Sequence, residues 1–154
     1  MLWLLAFEKQ SANRLNHRYT ISTDDWTAVD PLPSACHETS CARTTYNGHD
    51  SILCLLSWDV TPSLAVFGLG TETWSTSPAT PPLPNRHATK SFVTGRSLVF
   101  VGGLDPRSGW DVVPNAIRFD LDTGVWDGLT DEADGLLKGK ETYVIREYYY
   151  YQRV

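Results

Sequence analysis

The chain of 154 residues has one methionine, three cysteines and no long apolar run. The longest charge-free apolar stretches, 1–7 and 51–58, fall far short of the roughly 20 residues that cross a bilayer as a helix, so no membrane span is predicted. No basic region precedes the first stretch, and Glu8 and Lys9 end it too early for a signal peptide. Clustered positive charge is also missing. Thirteen basic residues stand singly against eighteen acidic ones, giving a net charge of −5 and no footprint for a phosphate backbone, so nucleic acid is not an expected partner. Cys36, Cys41 and Cys54 cannot all pair within the chain, and there is no Asn-x-Ser/Thr sequon. Nothing here argues for a secreted, disulfide-built module, and an intracellular setting is expected.

What the chain does have is enough length and apolar content, 42%, for one domain with one core. Six Trp, seven Tyr and nine Pro spread from Pro31 to Pro114 leave little uninterrupted chain for long helices. An all-β architecture is predicted.

Internal repetition emerges when the tryptophans are aligned. Trp26, Trp74 and Trp126 each have Thr three positions earlier (Thr23, Thr71, Thr123) and an aromatic residue seven positions earlier (Tyr19, Phe67, Phe119). An antiparallel hairpin with an even-length turn places residues seven apart opposite each other on one face, so each unit is expected to be a hairpin stapled by an aromatic pair. The turn of the third unit, Leu121-Asp122-Thr123-Gly124, carries side chains that bond the local backbone and a glycine for positive φ. Upstream, 91–94 and 97–101 read as two short strands joined at Gly95-Arg96, the second ending in Gly102-Gly103, with 104–114 as a longer loop.

These residues resemble the kelch repeat: Arg86-His87 after a Pro-rich link, an apolar strand closing in Gly102-Gly103, then Asn115, Phe119-Asp120, Thr123 and Trp126. The second unit keeps His37, Phe67, Thr71 and Trp74 but has Ser57-Trp58 in place of the diglycine, and the first keeps only Tyr19, Thr23 and Trp26. The resemblance implies a partial kelch-type β-propeller of about three four-stranded antiparallel blades whose ring is not closed. Its approximate units are 1–33 (part of a blade), 34–84 (a degenerate blade), 85–130 (the best-matched blade) and 131–154 (the start of a further blade, or a tail whose alternate tyrosines cover exposed core). Open blade edges imply a capacity for self-association.

Constellations that could carry chemistry read as structure. Asp122-Thr123-Gly124 is the aspartic-protease tripeptide, but it falls in a repeated turn and has no second copy. Cys36, His37, Cys41, His49 and Cys54 are metal-ligand types without zinc spacing, and the cysteines are expected to pack as buried thiols. Gly68 and Gly70 lack the third glycine and the helix of a dinucleotide fingerprint. No cofactor is expected. The loop bearing Arg107, Trp110 and Asp111 has the chemistry of a protein-binding hot spot. The expected function is therefore a noncatalytic protein-interaction module, with a fragment of a kelch-propeller enzyme as the alternative, either a galactose-oxidase-like copper oxidase or a sialic-acid epimerase.

Overall fold

The structure is a computed structural model that describes residues 5–7, 16–33, 40–57, 61–82, 86, 88–109, 111–113 and 115–129. His37, Cys36, His87, Trp110 and the unit 131–154 lie outside the described residues.

The described chain is all-β, with antiparallel sheets that follow one another in sequence, and no sheet closes on itself. The first sheet contains β1 (Leu5–Phe7), β2 (Asn16–Thr20) and β3 (Asp25–Val29) in that order. The middle sheet is β4 (Ser40–Tyr46), β5 (His49–Leu56), β6 (Ser63–Gly68) and β7 (Thr73–Thr76), again in sequence order. The third contains β8 (Lys90–Thr94) and β9 (Ser97–Val101), then β12 (Ala116–Asp120) and β13 (Trp126–Leu129). Between β9 and β12 the chain forms a small ladder of β10 (Leu104–Asp105) and β11 (Asp111–Val112).

The register matches the hairpin expectation in all three units. Tyr19 lies opposite Trp26, Phe67 opposite Trp74 and Phe119 opposite Trp126, with ring centroids 5.0, 5.0 and 4.9 Å apart. These are tilted aromatic pairs at the spacing that ring quadrupoles favour. The turns explain the other two columns. Each threonine hydroxyl turns back to the end of the preceding strand: Thr23 to the Thr20 carbonyl (3.4 Å), Thr71 to the Gly68 carbonyl (3.4 Å) and Thr123 to the Asp120 carboxylate (3.0 Å). Two residues before each tryptophan the backbone is left-handed, at Asp24 (φ 52°), Glu72 (φ 57°) and Gly124 (φ 67°). Only the third unit meets that demand with glycine, the residue that bears it without steric cost.

Alternation along the strands sends the two faces of the middle sheet to different cores. Leu53, Leu55, Leu64 and Val66 pack against Leu98, Phe100, Ile117 and Phe119 of the third sheet. Cys54, Leu56 and Ala65, on the opposite face, pack with Leu32, which follows β3. Sheet-to-sheet links reinforce both seams. The Trp126 indole donates to the Ala79 carbonyl (3.1 Å), Ser40 and Ser91 share a hydroxyl bond (2.8 Å) between β4 and β8, and Arg18 pairs with Glu72.

One expectation is corrected. Cys41 and Cys54 are not buried thiols but a disulfide, bonded directly across the β4–β5 pair. The two residues occupy opposed positions 13 apart in sequence, and the pairing of the strands brings their Cβ atoms together.

Candidate functional site

The loop between β9 and β12 is a built element. Asp105 adopts extended backbone ahead of a 3-10 turn, Pro106–Ser108, and its carboxylate accepts the Arg107 amide (2.8 Å). Pro106 fits the first position of such a turn because it has no amide hydrogen to place, and Gly109 (φ 80°) ends the turn in the left-handed region. The Ser108 hydroxyl bonds back to the Asp105 carbonyl (3.2 Å). Behind the turn, Leu104 pairs with Val112 and Asp105 with Asp111. Nearer the base, the Val113 amide donates to the Gly103 carbonyl (2.9 Å) and the Gly102 amide to the Asn115 carbonyl (3.3 Å). The loop thus presents exposed Arg107, Asp111 and Val112, the last with 49% of its surface open. Trp110, the third residue expected at this surface, lies outside the described residues.

Beneath the loop sits Arg86, only 2% exposed. Its Nη1 donates to the Asn115 carbonyl (2.7 Å) and the Gly102 carbonyl (3.3 Å), so one guanidinium holds both stems. The diglycine makes this possible. Gly102 (φ 64°) and Gly103 (φ 107°) are both left-handed, turning the end of β9 so that one carbonyl meets Arg86 and the next meets the Val113 amide. Burial pushes the Arg86 guanidinium down to about 10, with the Asp105 carboxylate acting in the opposite direction. Its Nε and Nη2 find no acceptor among the described residues. The Arg86 carbonyl in turn accepts the Ser57 hydroxyl, tying the clasp to the end of the middle sheet. Ser57 stands where the second unit lacks its diglycine.

A concavity lies at the other end of the strands. Turns at Asn47-Gly48, Gly95-Arg96 and Leu121-Asp122 surround a cleft of about 630 Å³, which Thr44 and Thr45 also line. Arg96 and Asp122 are paired across it. Among the described residues, Leu121 is the only apolar side chain larger than a methyl group that lines it.

No family model matches the chain, and no curated protein matches it. The kelch resemblance therefore rests on the residues alone. Of those, the structure places Arg86, Gly102 and Gly103 together at the loop base, and Phe119, Asp120, Thr123 and Trp126 together in the third hairpin. No local pattern signals the Arg96–Asp122 pair, whose members sit in turns 26 residues apart.

Proposed function

We propose that the chain is a noncatalytic protein-interaction module, a kelch-type propeller fragment whose consecutive sheets act as blades and whose 104–114 loop binds a protein partner. The Arg86 clasp carries this reading. A loop that merely joined two strands would not need a buried guanidinium on both stems, a 3-10 turn and its own ladder. Such a loop meets a partner already ordered, so little conformational entropy is lost on binding. Its exposed set includes Arg107, a residue type enriched at protein interfaces, beside the apolar Val112.

The test is affinity capture by the immobilised chain, comparing wild type, the Arg107→Ala/Asp111→Ala/Val112→Ser variant, and Arg43→Ala in the middle of β4 as a control. The expected result is a bound protein held by wild type and Arg43→Ala and lost by the loop variant. Identical captured sets would overturn the reading.

A further inference from the structure

A covalent cross-link sits at the seam between the first and middle sheets. Strand alternation puts Cys41, Cys54, Ala65 and Trp74 on one face of the middle sheet. On that face Cys54, Leu56 and Ala65 form a buried cluster with Leu32, and Cys41, Ile52 and Trp74 pack against it. The bridge is not what holds its two strands together. β4 and β5 pair along seven positions, and the Cα atoms of Cys41 and Cys54 are 4.2 Å apart. That is the close spacing of an antiparallel pair that exchanges no backbone hydrogen bonds, so breaking the S–S bond removes none from the ladder.

Breaking it does disturb the seam. Unbonded heavy atoms settle roughly 3.5–4 Å apart, and a close-packed interior has no slack for two sulfurs to separate. Cys54 is fully buried and Cys41 only half-buried, so Cys41 is the side chain with room to turn. Turning it withdraws it from the cluster that holds Leu32. This seam is also the less reinforced of the two. Nine buried residues build the core between the middle and third sheets, where the Trp126 indole donates to the Ala79 carbonyl. The cluster around Leu32 has four buried residues, so the loss of one packing partner weighs more there. Trp74, in the same column as Trp126, buries an indole N–H that finds no acceptor among the described residues. Polar ties across this seam include the Trp74 amide on the Asp30 carboxylate (3.2 Å) and the Arg18–Glu72 pair.

We propose that the Cys41–Cys54 disulfide is a redox switch on this seam: a dithiol reductant opens it in the folded chain, and opening releases Leu32 from its seat while the middle and third sheets stay packed. In the exchange, a thiolate of the reductant attacks Sγ of Cys41, the less buried residue. The Cys41–Cys54 bond breaks, and Cys54 leaves as a thiolate that takes up a proton. The reductant's second thiolate then displaces Cys41 from the mixed disulfide, and Cys41 is protonated in turn. Two electrons have passed to the protein, both cysteines are thiols, and the reductant is a disulfide.

Titrating the full chain with dithiothreitol tests this, with thiols mapped by maleimide labelling after a denaturing quench and the fold followed by NMR. Cys41 and Cys54 are expected to become labelled while the thermal melt remains cooperative. In the reduced protein the Leu32 methyl resonances should shift and the Trp74 amide should exchange about tenfold faster, while the Leu98 and Ile117 methyls keep their positions. Reoxidation should restore the starting spectrum. Cys41→Ser is expected to show the reduced-state signals with or without dithiothreitol, and Cys41→Ala replaces it if that variant fails to melt cooperatively. A bridge that opens only as the chain unfolds overturns the proposal. So does a reduced protein with Leu32 and Trp74 unchanged, or one whose shifts are as large at Leu98 and Ile117, which would make the bridge a plain structural cross-link.

Discussion

Replacing Arg86 with methionine removes the guanidinium while keeping a long apolar stem in the buried space. The Gly102 carbonyl then loses its Arg86 donor, and the Asn115 carbonyl keeps only the Gly102 amide at 3.3 Å. A hydrogen bond to a charged group is worth about 1.5–3 kcal/mol, and the longer of the two here lies at the low end of that range. Against the loss stands the recovered cost of burying a cation with two unpaired N–H groups, which we set at about 1–2 kcal/mol. The net expectation is destabilisation by about 2 kcal/mol, or a fall in Tm of about 4–8 °C for a chain of this length. Hydrogen exchange should localise the effect, with the Val113 and Gly102 amides exchanging faster while those of β5 and β6 keep their protection. The pH dependence has a definite sign. Because burial lowers the guanidinium to about 10, the folded state binds fewer protons than the unfolded state above that pH, so this group adds stability to wild type as pH rises beyond about 10. Below it the contribution is flat, so the gap to Arg86→Met should be constant across neutral pH and widen above about 10. An unchanged melt with unchanged loop exchange would refute the clasp.

Asp120 accepts the Thr123 amide, the Thr123 hydroxyl and the Asp122 amide, and the Thr123 amide is the main cause that holds its carboxyl below the usual range. Its stabilising contribution is present above about pH 4 and lost as pH falls through the lowered value, so wild type and Asp120→Asn should converge in acid when urea midpoints are compared. Gly124→Ala places a Cβ at ordinary contact distance from Tyr46 and Phe119 but at φ 67°, so a loss of about 1 kcal/mol is expected from backbone conformation alone, read by denaturant titration. Cys41→Ala/Cys54→Ala should cost about 2–4 kcal/mol by releasing a cross-link over 13 residues, and an unaltered denaturation midpoint would contradict the pairing.

Pattern at the scale of one hairpin was legible. The aromatic and threonine columns fixed the register of three β-hairpins because residues seven apart across a short turn have one place to meet. The strand pair joined at Gly95-Arg96 followed from a glycine between two apolar runs. What escaped was set by pairings that no repeated column marks. Nothing local tells Cys41 that its partner is Cys54 rather than Cys36; the β4–β5 register decides it. Likewise 104–114 reads as a plain loop until its base is seen pinned from Arg86, some 16 residues upstream of Gly102. The left-handed positions at Asp24 and Glu72 were also hidden, because neither residue announces a conformation that glycine would mark.

Trp74 and Trp126 each pack toward the sheet before their own. A stack with that polarity lengthens without redesign. Duplicating the segment that carries β4 to β7 and splicing it in ahead of β8 would seat the copied Cys54, Leu56, Ala65 and Trp74 on Leu53, Leu55, Leu64 and Val66, an apolar face that already receives a sheet. Gene duplication can therefore add or remove a tier in one step, and the tolerance for such edits is written into the direction the indoles point.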